Sequence, residues 1–236
     1  MTKQYAILAL LLAPLAARAA DSGLYVFANT GYNPSGYSGH IHTVTPNMEE
    51  EKIDLKFRSG SSGSPGAIWE LGGGYQLGPN SAVEVSYANL GRASARIDGS
   101  ATEQGQTKPF ANATGSASMD MTSLRVALLG INPVNDRFSV YGKVSVNSVS
   151  TKGTVRLDKF QAKGLRPFGS EVSESRTRNS LKLGLGLGGQ LYLSKRFALR
   201  GEYEYLFGGN ELRYNGTTVL SNRGVHLAKV GASFYF

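Results

Sequence analysis

The sequence has no cysteine, one tryptophan, three histidines and 18% charged residues in 236. Without cysteine there can be no disulfide and no lipid-modified cysteine at the N-terminus. Nothing beyond the first 20 residues approaches the roughly 20-residue apolar run of a membrane-spanning helix, so helical spanning is excluded. Stability must come from sheet closure or from a core of ordinary size. The one apolar run, Tyr5 to Ala17, follows Lys3 and precedes Ala17-Arg18-Ala19. That is the layout of an export signal with a small-x-small cleavage site. It predicts a signal peptide over 1–19 and a single mature domain over 20–236, whose net charge falls from +8 to +6 as Lys3 and Arg18 leave. An exported basic chain is not expected to meet nucleic acid; anionic lipid headgroups are the better partner.

What the sequence does have is 30 glycines, 12 tyrosines and 10 phenylalanines, a composition of β-structure. Apolar residues alternate with small or polar ones over about ten positions at a time, the length of a tilted membrane-crossing strand. Eight such segments start near Gly23, Ala67, Ala82, Thr122, Phe138, Leu181, Phe197 and Lys229. The sharpest sets Leu181, Leu183, Leu185, Leu187 and Leu191 against Lys182, Gly184, Gly186, Gly188 and Gln190. In the first, Leu24, Val26, Ala28 and Thr30 share one face, with Tyr25 and Phe27 competing for it. Almost every charge within the segments falls on the face away from the aliphatics. A soluble barrel and a membrane barrel share that pattern, and the connections separate them. Short polar turns (78–81, 132–137 and 194–196) alternate strictly with long links (33–66, 91–121, 149–179 and 208–223). Outer-membrane barrels are connected this way, whereas soluble domains rarely tolerate several long structureless loops. Aromatics add two girdles: Phe138, Phe197, Tyr75, Phe234 and Phe236 at the short-turn ends, and Trp69, Tyr87, Tyr205 and Phe207 towards the long links. The expected fold is an all-β, eight-stranded antiparallel transmembrane up-and-down β-barrel. It would have short periplasmic turns, periplasmic termini and four long extracellular loops in a bacterial outer membrane.

The stretches Leu71 to Leu77 (LGGGYQL), Asn80 to Gly91 (NSAVEVSYANLG) and Val230 to Phe236 (VGASFYF) resemble the transmembrane domain of OmpA-type outer-membrane proteins. The resemblance covers the strands and not the loops. It implies that Phe234 and Phe236 form the terminal signal read by the barrel assembly machinery, with periplasmic chaperones as earlier partners. Because the chain stops at Phe236, the peptidoglycan-binding domain of full-length relatives is not expected. The resemblance also matches Glu84 and Glu202 to glutamates of OmpA-type strands, where interior ion pairs interrupt the pore.

Candidate functional residues form two groups. The inward faces carry Glu70, Glu84, Glu202 and Glu204 with Arg125, Lys143, Lys182, Arg200 and Lys229. An eight-stranded barrel is nearly filled by side chains, so these charges must pair. A cluster centred on Glu84 with Arg125 or Lys143 is expected, and the inward glycines are expected to leave room for the long side chains and some water. The third long link carries Lys152, Arg156, Lys159, Lys163, Arg166, Arg176 and Arg178, a set suited to lipopolysaccharide phosphates or anionic host glycans. Catalysis is not expected. His40 and His42 lie in the first link, His226 opens the last strand without the serine of the barrel deacylases, and a His40–His42 pair near Glu49 to Glu51 is weak evidence for a metal. No cofactor is expected. Two functions stay open: a structural envelope protein with at most a narrow solute or ion path, or an adhesin or serum-resistance protein binding host surface molecules or lipopolysaccharide through its loops.

Overall fold

A computed structural model describes residues 23–35, 38–39, 42–44, 53–59, 66–103, 107–109, 111–162, 172–214 and 217–236. The expected signal segment over 1–19 lies outside the described residues. Eight strands form the wall: β1 (Gly23–Asn33), β2 (Gly66–Gly78), β3 (Ser81–Glu103), β4 (Ala111–Asn135), β5 (Phe138–Ala162), β6 (Val172–Tyr192), β7 (Phe197–Tyr214) and β8 (Thr217–Tyr235). Each pairs antiparallel with its sequence neighbours. The ring closes where β1 meets β8, with Val26 opposite Phe234 and Asn29 opposite Gly231. A closed ring leaves no edge to be satisfied within lipid.

Alternation dictates the two faces. Leu124, Val126 and Leu128 point outward and are at least half exposed, while Ser123, Arg125 and Ala127 between them are buried in the interior. The same inversion holds on every strand. The competition in the first segment is settled in favour of Val26 for lipid, with Tyr25 and Phe27 buried inside. Outward apolar side chains on β5 run from Phe138 to Val146. That is about 26 Å of strand, which a tilt of roughly 40° reduces to about 20 Å, close to the apolar band of an outer-membrane barrel. The short turns are fixed by side-chain caps: Asn135 Oδ1 accepts from the amides of Arg137 and Phe138, both at 2.9 Å, and Ser194 Oγ accepts from that of Phe197 at 3.1 Å.

At the opposite end the expected long loops are largely strand. β3 and β4 stay paired up to Ala101 and Ala111, and β5 and β6 up to Leu157 and Val172. The links over 91–121, 149–179 and 208–223 are therefore mostly protruding β-hairpins rather than structureless loops. The reason is a reversal of polarity. On β4, Ser116, Ser118 and Asp120 face outward, whereas Ala117, Met119 and Met121 are buried inside. Beyond the membrane the wall behaves as a water-soluble barrel, apolar within and polar without. A bulge at Gly91 (φ 95°) marks the change on β3. The first link adds short strands: Ile53–Ser59 pairs with the extension of β3, His42–Val44 with Ile53–Ser59, and Ser38–Gly39 with β8.

Candidate functional site

The interior is stacked in three layers. At the turn end lies an aromatic and aliphatic layer of Tyr25, Phe27, Ala82, Ala127, Leu129, Ile131 and Tyr141, with Tyr235 packed against it. At the loop end lies a second apolar layer, including Leu90, Met119, Met121, Leu206, Val225 and Leu227. Between them sits a charged layer supplied by β2, β3, β4, β5, β7 and β8. On β7 the inward sequence reads Ala198, Arg200, Glu202, Glu204, Leu206; on β4 it reads Leu129, Ala127, Arg125, Ser123, Met121.

The charged layer brings together Glu70, Glu84, Glu202 and Glu204 with Arg125, Lys143, Arg200 and Lys229, four of each sign. None of the eight is more than 6% exposed. Glu202 is the most heavily contacted: Lys229 Nζ at 2.6 Å, Lys143 Nζ at 2.8 Å, the Tyr141 hydroxyl at 3.0 Å and Arg200 Nη2 at 3.1 Å. Glu204 accepts from Arg125, from Lys229 at 2.9 Å and from Ser145 Oγ at 2.8 Å. Glu70 holds Lys229 at 2.8 Å, Arg125 at 3.2 Å and the Ser86 hydroxyl at 2.6 Å. Glu84 takes Arg200 at 2.7 Å and the Tyr25 hydroxyl at 2.9 Å. Carboxylates with several donors each are the arrangement that offsets the large cost of taking charges out of water.

Glu84 is thus at one side of the network. Lys143 lies 3.7 Å away, its close partner is Arg200, and Arg125 goes to Glu70 and Glu204 instead. Lys182 is not in the layer at all. It stands one inward position beyond Gly184, level with the upper apolar layer, and its ammonium donates to the carbonyls of Gly208 and Gly209 at 2.6 and 2.8 Å. Sequence reasoning did not pick out Tyr25, Tyr141, Ser86, Ser145 or Asn29 as partners of the carboxylates. Their signal was their place on the same inward face. The Arg200 guanidinium also lies over the Phe27 ring, 4.6 Å from its centre, joining the charged layer to the aromatic one.

A family model described as outer membrane protein beta-barrel domain matches residues 5–234. The chain belongs to this outer-membrane β-barrel family. No curated protein matches it by sequence. Among solved structures, it is similar to OprG from Pseudomonas aeruginosa (13% identity, TM-score 0.52, covering 91% of this chain and 96% of that one). Others are Neisserial surface protein A (14% identity, TM-score 0.47, 91% and 98%) and the attachment invasion locus protein of Yersinia pestis, Ail (16% identity, TM-score 0.38, 90% and 99%). At these identities the likeness is one of fold. The family itself places the chain in the bacterial outer membrane.

Among the described residues, the basic side chains of the third link are divided between the two faces of the wall. Lys152 and Arg156 lie on the outer face of β5, exposed. Arg176 and Arg178 pair with Gly153 and Thr151, so they share the inward face of β6 with Lys182, yet both are exposed. Lys159 lies within β5, and Lys163 and Arg166 fall outside the described residues. His226 sits at the outer aromatic belt, its Nδ1 2.6 Å from the Tyr203 hydroxyl. His40 and Glu49 to Glu51 fall outside the described residues. Phe234 and Phe236 project outward at the turn end with rings 5.4 Å apart, and the Phe236 amide donates to Leu24 O at 3.1 Å across the closing seam.

Proposed function

We propose that the barrel is a non-conducting anchor and that the protein works at the cell surface through its protruding hairpins, as a binding protein for surface or host molecules. The supporting observation is the charged layer: neutral in sum, desolvated, and enclosed between two apolar layers. An ion entering the lumen would first have to shed its water against Met119, Met121 and Leu206, or against Tyr25 and Phe27. The polar outer faces of the hairpins and their exposed basic residues favour a binding role over a solute path. The protein is taken as non-enzymatic: the His226 ring bonds to Tyr203 on the lipid-facing wall, and the nearby Ser35 hydroxyl oxygen accepts from the His226 backbone amide at 2.8 Å. The hairpin end faces outside the cell and the termini face the periplasm, because extended polar hairpins belong on the surface side of such barrels. Phe234 and Phe236 act as the assembly signal, and the leader over 1–19 is removed on export.

Purified wild-type protein in planar bilayers is expected to be electrically silent while correctly folded. Stepwise openings would overturn the closed-lumen reading and restore the narrow solute path. A strain lacking the β5–β6 hairpin is expected to keep the barrel in the membrane but to lose host-cell binding or serum survival. Protease on intact cells should cut between Lys152 and Arg178; cleavage at the Pro79 turn instead would reverse the orientation.

A further inference from the structure

The wall is not continuous at its loop end. β6 and β7 pair from Tyr192 opposite Ala198 up to Gly184 opposite Leu206. Past that point, among the described residues, the two strands no longer pair, although β6 extends back to Val172 and β7 on to Tyr214. β6 then follows β5 alone and β7 follows β8 alone. Gly208, held at a positive φ of 87° in a bulge of β7, turns the strand away. The parting leaves a cavity of about 320 Å³ lined by Thr151, Arg178, Ser180, Gly209, Asn210 and Glu211. On the other side of the barrel the upper edges of β3 and β8 are paired with strands of the first link.

We infer that this cleft is a binding site for a phosphate monoester, presented by an anionic lipid headgroup of the surrounding outer leaflet. Three observations converge. First, Arg176, Arg178 and Lys182 stand at alternate or near-alternate positions on one face of β6, and no carboxylate pairs with them among the described residues. Lys182 is held instead by two carbonyls, which orient it without neutralising it. Glu211 also lines the cavity, and it has an interaction of its own. Second, the cavity is lined by Thr151 and Ser180, whose hydroxyls suit an oxyanion with several acceptors, while the Asn210 amide on its wall is held by Met121 Sδ. Third, the depth is right. Leu181, 75% exposed, is the last outward aliphatic of β6. Arg178 lies three residues beyond it, about 10 Å along the strand and about 8 Å in height after tilt, which falls within the headgroup zone flanking the apolar band. The cleft lies where β6 and β7 part, a gap in the pairing through which a headgroup of the leaflet is to reach it.

The inference rests on the orientation proposed above, but its test does not. Full-length protein folded in detergent would be titrated with bisphosphorylated lipid A, with the same lipid after dephosphorylation, and with inorganic phosphate, binding being read by native mass spectrometry. The double variant Arg176→Gln, Arg178→Gln is expected to weaken phosphorylated lipid A about tenfold or more, the scale of a charge-assisted contact. The turn-end variant Lys195→Gln, Arg196→Gln, exposed at the opposite end of the barrel, should stay within about twofold of wild type. Heat-dependent gel mobility checks that each variant is folded. Equal losses in the two variants would mean diffuse electrostatic attraction and overturn the site. So would equal binding of the dephosphorylated lipid. Inorganic phosphate binding as tightly as the lipid would show that a free anion, not a headgroup, is the ligand. Failure of the orientation alone would appear in the protease experiment on intact cells, with the titration unchanged.

Discussion

Single inward glycines decide how the lumen is filled. A Cβ on Gly74 would lie 2.3 Å from Tyr25 Cζ and 2.5 Å from its hydroxyl oxygen. The ring covers the glycine because its hydroxyl must reach Glu84 at 2.9 Å. Gly74→Ala is therefore expected to cost about 1–3 kcal/mol, since the ring must move in a packed interior. In a Tyr25→Ala background the same change should cost much less, about 0.5 kcal/mol or below. Equal costs in both backgrounds, by urea denaturation, would place the strain elsewhere. Gly188 is covered in the same way by Tyr141, and Gly72 by Phe27. Only Gly184 and Gly186 meet the expectation of room for a long acidic side chain, with Glu204 atoms 2.9 and 3.5 Å from the added carbon. Alternation names the face of a residue but not its height in the lumen, so the partner of each glycine was not legible. For the same reason Glu84, Arg125 and Lys143 could be assigned to the interior, while their pairing could not.

At the scale of the strand, what could be read from sequence depends on where the strand runs. Within the lipid band the outward face is Leu, Val and aromatic, and the eight segments stand out. Beyond the band the outward face is Ser, Arg and Asp and the inward face is Ala, Met and Gly, so hydropathy contrast collapses although the period of two persists. The protruding parts of β3 to β6 were hidden by that collapse. Two arginine substitutions at outward positions make the difference measurable. Leu185 lies between Val144 and Tyr205 in register, inside the band, and Leu185→Arg is expected to lose about 2–4 kcal/mol in a lipid bilayer. Ser118, outward on the extension of β4 between the neutral Ser94 and Thr154, should accept arginine within about 0.5 kcal/mol. A comparable penalty at both sites, by folding titration into vesicles, would move the membrane boundary up to Ser118.

Taken as a whole, the molecule places its barriers in series, and this sets a condition on any attempt to open it. The loop-end layer is mainly apolar side chains packed on one another, with the amides of Asn33 and Asn210 bonded to Leu90 O and Met121 Sδ. The charged layer below is cross-linked, with Lys229 touching Glu70, Glu202 and Glu204 at 2.8, 2.6 and 2.9 Å. The turn-end layer is tied to it through Tyr25, Tyr141 and the Arg200–Phe27 stack. An ion passing through must be desolvated in both apolar layers and must displace a partner in the charged one. The largest remaining barrier limits conduction, so thinning one layer leaves the others in force. Leu90→Ala with Met121→Ala, which opens only the loop-end layer, is expected to stay silent in planar bilayers. The turn-end change Phe27→Ala with Ile131→Ala is expected to be silent too, since it leaves every carboxylate partner in place. Adding Lys143→Met and Glu202→Gln to both pairs would remove a cation and an anion together, keeping the interior neutral while breaking its most heavily contacted carboxylate. Only this combined variant should conduct, provided its heat-dependent gel mobility shows a folded barrel. Openings in either two-residue variant would mean that one layer alone had been holding the lumen shut.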